Sequence, residues 1–223
     1  MKTREATPSE AGFSLVELMV ALTITLILAS AASALLSGSF NVRGREDQKS
    51  AALADSQRAI SLMTREIANS GFGLTSNGIV TADSTASSIR VRANLNAFEA
   101  AVSSSTVSDA NEDVRYRLVT TASASYIERL DVNTLARTTV LANRVDSFRI
   151  YYFADKVDYT PGNCTISPDS AEVTDKTRAK YLVMVICVQL PARGAPGSPG
   201  YQPISSVQLA SDVTLRNADL AKY

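Results

Sequence analysis

The chain has 223 residues, with 22 basic and 22 acidic side chains, no His, no Trp and two Cys. Balanced charge gives no support for a nucleic-acid partner, and without His neither a Ser-His-Asp nor a Cys-His arrangement can be assembled. His-based metal sites are excluded and two cysteines are too few for a structural zinc set; a Ser–Lys nucleophile has no supporting motif, so the chain is read as non-enzymatic, with no metal and no cofactor.

Residues 1–12 form a short, mostly polar leader. Gly12-Phe13-Ser14-Leu15-Val16-Glu17-Leu18 then opens an apolar stretch over 13–36, which is 24 residues long. As a helix it measures about 36 Å, enough to cross a hydrocarbon core of about 30 Å with some tilt. It is rich in Ala and Leu and lacks Pro and Gly, so it is predicted as a transmembrane helix. Glu17 is its single carboxylate. A charge at membrane depth costs roughly 2.5–3.5 kcal/mol and usually marks function. A secretory signal peptide is the rival reading. Its apolar region is shorter, although the run Ala29-Ser30-Ala31-Ala32-Ser33-Ala34 imitates its cleavage site. An acid in such a core serves no purpose. Lys2 and Arg4 precede the segment and Arg43, Arg45 and Lys49 follow it, so the positive-inside rule leaves orientation open.

Helical composition returns over 45–69, after Gly38 and Gly44, two weak points that permit a bend. Leu53, Ile60, Met63 and Ile67 fall on one helical stripe. Gln57, Arg58, Arg65 and Glu66 occupy much of the remaining surface. Asn69-Ser70-Gly71, with Gly73 beyond, is a stop signal. The pattern then changes to period two. Strands are predicted at Ser88-Ile89-Arg90-Val91-Arg92, Val114-Arg115-Tyr116-Arg117-Leu118 and Tyr126-Ile127-Glu128-Arg129-Leu130, then over 145–153, 181–190 and 207–215. In the 145–153 strand, Val145, Ser147, Arg149, Tyr151 and Phe153 share one face. The 181–190 strand is apolar on both faces and is predicted to be central. Alternation elsewhere suits an antiparallel sheet with one buried face, and the striped helix is its natural cover. The expected fold class is therefore α+β. Its parts are a leader (1–12), a transmembrane helix (13–36), an amphipathic extension (37–70) and a β-rich head (71–223).

Three segments read as loops: 101–113, 154–180 and the Pro/Gly-rich 191–203. Asp155, Asp158, Asp169, Glu172 and Asp175 offer oxygen ligands for calcium, but their spacing fits no EF-hand and they are read as a solvated loop. Arg90, Arg92, Arg115 and Arg117 alternate on strands. They either form a basic strip, which would favour DNA capture, or face water opposite Ile89, Val91, Val114, Tyr116 and Leu118.

The junction at Gly12-Phe13 and Glu17 resembles the processing site of a type IV prepilin. The resemblance implies cleavage by a prepilin peptidase between Gly12 and Phe13, N-methylation of Phe13, and Glu17 as the fifth residue of the mature chain. It implies a pilin-like fold, with the leader in the cytoplasm. The chain would first be a single-pass protein of the bacterial inner membrane, in contact with lipid, with its head outside the cytoplasm. It would later join a pilus or the cell surface. The implied partners are other major and minor pilins and the inner-membrane assembly platform. In a helical array a neighbour's Phe13 amine would neutralise Glu17. Buried ion pairs are weak stabilisers but good devices for register, and methylation keeps the charge.

The resemblance continues along the chain. Gln57-Arg58-Ala59, Leu62-Met63-Thr64-Arg65-Glu66-Ile67 and Ser70-Gly71-Phe72-Gly73 are similar to the helix end of PilW-type minor pilins. Val114-Arg115-Tyr116-Arg117-Leu118, Ile127-Glu128-Arg129-Leu130, Leu141-Ala142-Asn143-Arg144-Val145-Asp146-Ser147-Phe148, Tyr151-Tyr152 and Val213-Thr214-Leu215-Arg216-Asn217 follow in order. That order is similar both to PilW-type minor pilins and to J-type minor pseudopilins of type II secretion. The Gly-Phe-Gly turn and the long Pro/Gly loop favour the former. The implied function is a minor pilin that takes part in pilus assembly or priming near the fibre tip. A J-type pseudopilin, or a tip adhesin or DNA-binding pilin, is the alternative. With the head outside the cytoplasm, Cys164 and Cys187 form an even set suited to a disulfide. It would close a loop of about two dozen residues, worth roughly 3 kcal/mol; two buried thiols are the other reading.

Overall fold

The computed structural model describes residues 12–98, 107–122, 124–141 and 145–218. The long α-helix, α1, spans Leu15–Ala68. Among the described residues nine strands follow: β1 (Ser88–Arg92), β2 (Asp113–Thr120), β3 (Ser125–Asp131), β4 (Arg137–Leu141), β5 (Val145–Phe153), β6 (Tyr159–Pro161), β7 (Ile166–Pro168), β8 (Tyr181–Leu190) and β9 (Ser205–Thr214). The chain forms two compact units. One holds the helix as far as Gly44 together with Arg193–Pro203; the other holds Arg45–Ala192 and the chain from Ile204 onward.

In the first unit α1 passes Gly38 and Gly44 without a break, where the sequence allowed a bend. A helical Gly costs about 1 kcal/mol relative to Ala. Here each glycine is also a contact. Gly38 is buried against Pro199 and Gly200, and the Arg193 guanidinium lies over Gly44. The missing side chains give the loop room to lie directly on the helix.

In the second unit the strands make two principal antiparallel sheets. One is a meander in the order β1-β2-β3-β4; the other is β5-β8-β9, with β6-β7 as a separate hairpin. The expected single sheet is thus divided between β4 and β5. The helix from residue 45 onward turns Ala52, Ala59, Ile60, Met63, Ile67 and Ala68 into one core with residues of both sheets, among them Ile89, Tyr116, Ile127, Phe148 and Met184. The stripe begins at Ala52; Leu53 is only partly buried. A small residue fits where helix and sheet approach closely, and the larger Leu53 is displaced to the flank.

Strand β8 is buried on both faces because both are covered. Its even-numbered residues Leu182, Met184, Ile186 and Val188 face the main core. Tyr181, Val183 and Val185 face a second cluster with Phe153, Val157 and Ile166, supplied by β5, the segment after it and the β6-β7 hairpin. On β5 the alternation is interrupted once. Val145 pairs with Val188 and Ser147 with Cys187, so Asp146 is bulged out. The bulge moves Val145 onto the core face with Phe148, Ile150 and Tyr152, instead of the face shared by Arg149 and Tyr151.

The end of α1 is closed by the chain's far end. Asn69 and Ser70 bond back three residues, to Glu66 and Ile67. Gly71 then takes a φ of 81°, a left-handed conformation that suits glycine. Arg216 N–H donates to the Ala68 carbonyl at 3.1 Å, and the Asn217 amide donates to the Asn69 and Ser70 carbonyls. The orphan carbonyls of the last turn are thereby satisfied.

Candidate functional site: the N-terminal segment

The helix begins at a local signal, Ser14-Leu15-Val16-Glu17. Ser14 is the N-cap, its carbonyl accepting from Leu18 N–H at 3.1 Å. Glu17, in the first turn, accepts the Ser14 backbone N–H at 3.2 Å. This is one half of a capping box, in which an acid at the third helical position satisfies the N-cap amide. An anion at this end also complements the helix dipole. The sequence reading found Glu17 but missed this partner, although the Ser-x-x-Glu spacing announces it.

Phe13, immediately before the cap, is 86% exposed. Every large apolar residue from Leu15 to Leu36 is exposed as well. An uncovered apolar surface of this length belongs in lipid or among other helices. Its few hydroxyls are prepared for either place. Thr23, Thr25, Ser30 and Ser33 donate to the carbonyls of Val20, Ala21, Ile27 and Ala29 at 2.7–2.8 Å. Each hydroxyl donor is satisfied inside the helix, so none needs water.

The family model for the prokaryotic N-terminal methylation motif matches residues 7–33. The N-terminal segment is type IV prepilin-like. The match spans Gly12, Phe13 and Glu17 and most of the exposed apolar helix. Among solved structures the chain is similar to a type IV-like pilin from Thermus thermophilus, at 16% identity and a TM-score of 0.39, over 74% of this chain and 97% of that one. No curated protein matches the chain. A prepilin-like start and an apolar helix fit membrane anchoring before incorporation in a fibre.

The other residues singled out from sequence lie in the second unit. Cys164 and Cys187 are joined in a disulfide, with Cα atoms 5.5 Å apart. Cys187 lies within β8, whereas Cys164 sits in the β6-β7 turn. Gln208 of β9 braces that turn, accepting from Cys164 N–H at 2.7 Å and donating to the Thr165 carbonyl at 2.9 Å. Arg90, Arg92, Arg115 and Arg117, read from sequence either as a basic strip or as a water-facing row, are matched by acids. Arg90 bonds Asp113 at 2.7 Å and Asp83 at 2.6 Å, Arg92 bonds Asp113, Arg115 reaches Asp83, and Arg117 reaches Glu128. Burial alone would raise the Asp113 carboxyl, but hydrogen bonds and charge from Arg90 and Arg92 outweigh it and hold the group below the usual aspartate range. The Arg90 hydrogen bond does the same to Asp83. The outer face of β1 and β2 is therefore a lattice of paired charges.

Of the acidic loop residues, Glu172 accepts the Tyr152 backbone N–H and Asp175 accepts from Thr177. Glu66 departs from its expected place on the wet side of the helix. It accepts from the Tyr116 hydroxyl at 2.6 Å and from Arg129 at 2.9 Å. Arg129 opposes Tyr116 across β2 and β3, so it points toward the helix. Burial, with the Glu66 charge added, pushes the Tyr116 hydroxyl far above its usual value.

Proposed function

We propose that the chain is a non-enzymatic minor type IV pilin of PilW type. It is made as a membrane prepilin and cut between Gly12 and Phe13. After N-methylation of Phe13 it assembles with other pilins near the fibre tip. The observation that carries this reading is the methylation motif over 7–33 on a helix whose apolar surface is uncovered. A head that ends such a helix needs neighbours, and a fibre built of similar helices supplies them. The Gly71-Phe72-Gly73 turn supports the PilW assignment.

Surface fibres sheared from a deletion strain and from its complemented partner test this function. Loss of fibres, restored on complementation, is the expected result. Normal fibres in the deletion strain overturn the priming role and direct attention to the secreted proteins, as a J-type pseudopilin would require, or to adhesion.

A further inference from the structure

We propose that the loop over 193–203 rests on the lipid surface and makes a second, interfacial membrane contact beside the spanning helix. This rests on reading 13–36 as membrane-spanning. The loop lies at the right depth. Gly38 is two residues beyond Leu36, about 3 Å along the helix, and it is where the loop touches down. A Cβ on Gly38 would lie 3.4 Å from the Pro199 carbonyl carbon, and Gly200, at φ 74°, packs against the Gly38 backbone. The loop tip is therefore level with the point where the helix leaves the hydrocarbon.

Composition agrees. From Gly194 to Pro203 the loop carries no charge, in a chain that is 20% charged, and it holds Pro196, Pro199 and Tyr201. On the adjoining helix Phe40 is 61% exposed and Val42 46% exposed, with Arg43 exposed beside them. Aromatic and apolar groups followed by a cation are the pattern of the bilayer interface, where the cation reaches the phosphates. The loop backbone is also paired within itself. Arg193 and Gln202 exchange N–H···O bonds at 2.8 and 2.9 Å, Ser198 N–H donates to Ala195 O, and Tyr201 N–H donates to Ser198 O. These four amides, being paired inside the loop, cost less to take out of water.

The test uses the full chain in phosphatidylethanolamine–phosphatidylglycerol vesicles. A polarity-sensitive fluorophore is placed at Ala195→Cys, at Ala29→Cys in the helix, or at Thr138→Cys on exposed β4; the native cysteines are held in their disulfide. Spin labels on the lipid headgroup or deep in the acyl chain act as quenchers. The expected result is a blue shift at position 195 with emission lost chiefly to the headgroup label. Position 29 should lose emission to the deep label and position 138 should lose none. A label at 195 that behaves like 138, while 29 is quenched, overturns the proposal and leaves the spanning helix standing. Lack of quenching at 29 removes the spanning reading and the proposal with it. A label at 195 that is unquenched in vesicles but shielded in assembled fibres assigns the loop to a neighbouring subunit instead, and also overturns the proposal.

Discussion

Glu66 shows how one residue ties a helix to a sheet that would otherwise reject its partner. Arg129 points inward from β3 with its side chain 12% exposed, and a largely buried guanidinium without a counter-charge is costly. Strand alternation puts Arg129 on the same face as Ile127, a conflict that the sequence analysis did not draw out. Which acid resolves it was not legible, because Glu66 and Arg129 are 63 residues apart in the chain. Glu66→Ala should cost about 1–3 kcal/mol, the range for unpairing a buried donor. Glu66→Gln should recover part of this through the Tyr116 bond. Urea midpoints of the detergent-solubilised chain measure both; a neutral alanine variant contradicts the argument. Asp113 supplies a pH-dependent counterpart. Its carboxyl is held low in the folded head, so its contribution is complete above the unfolded value of about 3.9. The contribution is lost as pH falls through the lower folded value. Asp113→Asn should be less stable at neutral pH and should lose less stability on acidification than the parent. Parallel stability curves for the two proteins would refute the linkage.

At the scale of elements, β1, β5 and β8 were legible with their boundaries, because each combines β-formers with a clear pattern of burial. Strand β4 was not, since Arg137, Thr138 and Thr139 are exposed and leave little periodic signal. Strands β6 and β7 have three residues each and end in Pro161 and Pro168, so their composition reads as loop. The bulge at Asp146 was invisible for another reason: a bulge depends on the partner strand's register, which a single strand does not encode. The β6-β7 hairpin is too short to be stable alone. It stays on β8 through the second apolar cluster, the Gln208 brace and the disulfide. Cys164→Ser combined with Cys187→Ala should therefore cost roughly 3 kcal/mol, by the loop-entropy relation. It should also expose the hairpin to protease before the rest of the head unfolds. Denaturant midpoints and limited proteolysis, beside the reduced parent, read the two effects. Loss of stability without early cleavage in the hairpin would mean that the apolar cluster alone holds it.

For the whole molecule, the deciding feature is a carboxylate at the start of an uncovered apolar helix. In the single chain Glu17 is engaged by the Ser14 amide, so its presence has two explanations. One is local: the acid caps its own helix. The other is collective: the charge awaits a neighbour's Phe13 amine in the assembled array, where pairing would offset desolvation and set register. The two make different demands on the side chain. Capping needs an acceptor, which Gln provides as well as Glu, whereas pairing needs a charge. Glu17→Ala removes both functions, and Glu17→Gln removes only the charge. Neither residue change touches the head, so both variants should keep the parent's denaturation midpoint there. Membrane insertion should be retained or improved, because an acid no longer enters the hydrocarbon. We expect both variants to be depleted from sheared fibres, measured against the parent by quantitative immunoblotting. Depletion of the alanine variant alone would assign Glu17 to capping, and normal incorporation of both would remove it from assembly altogether.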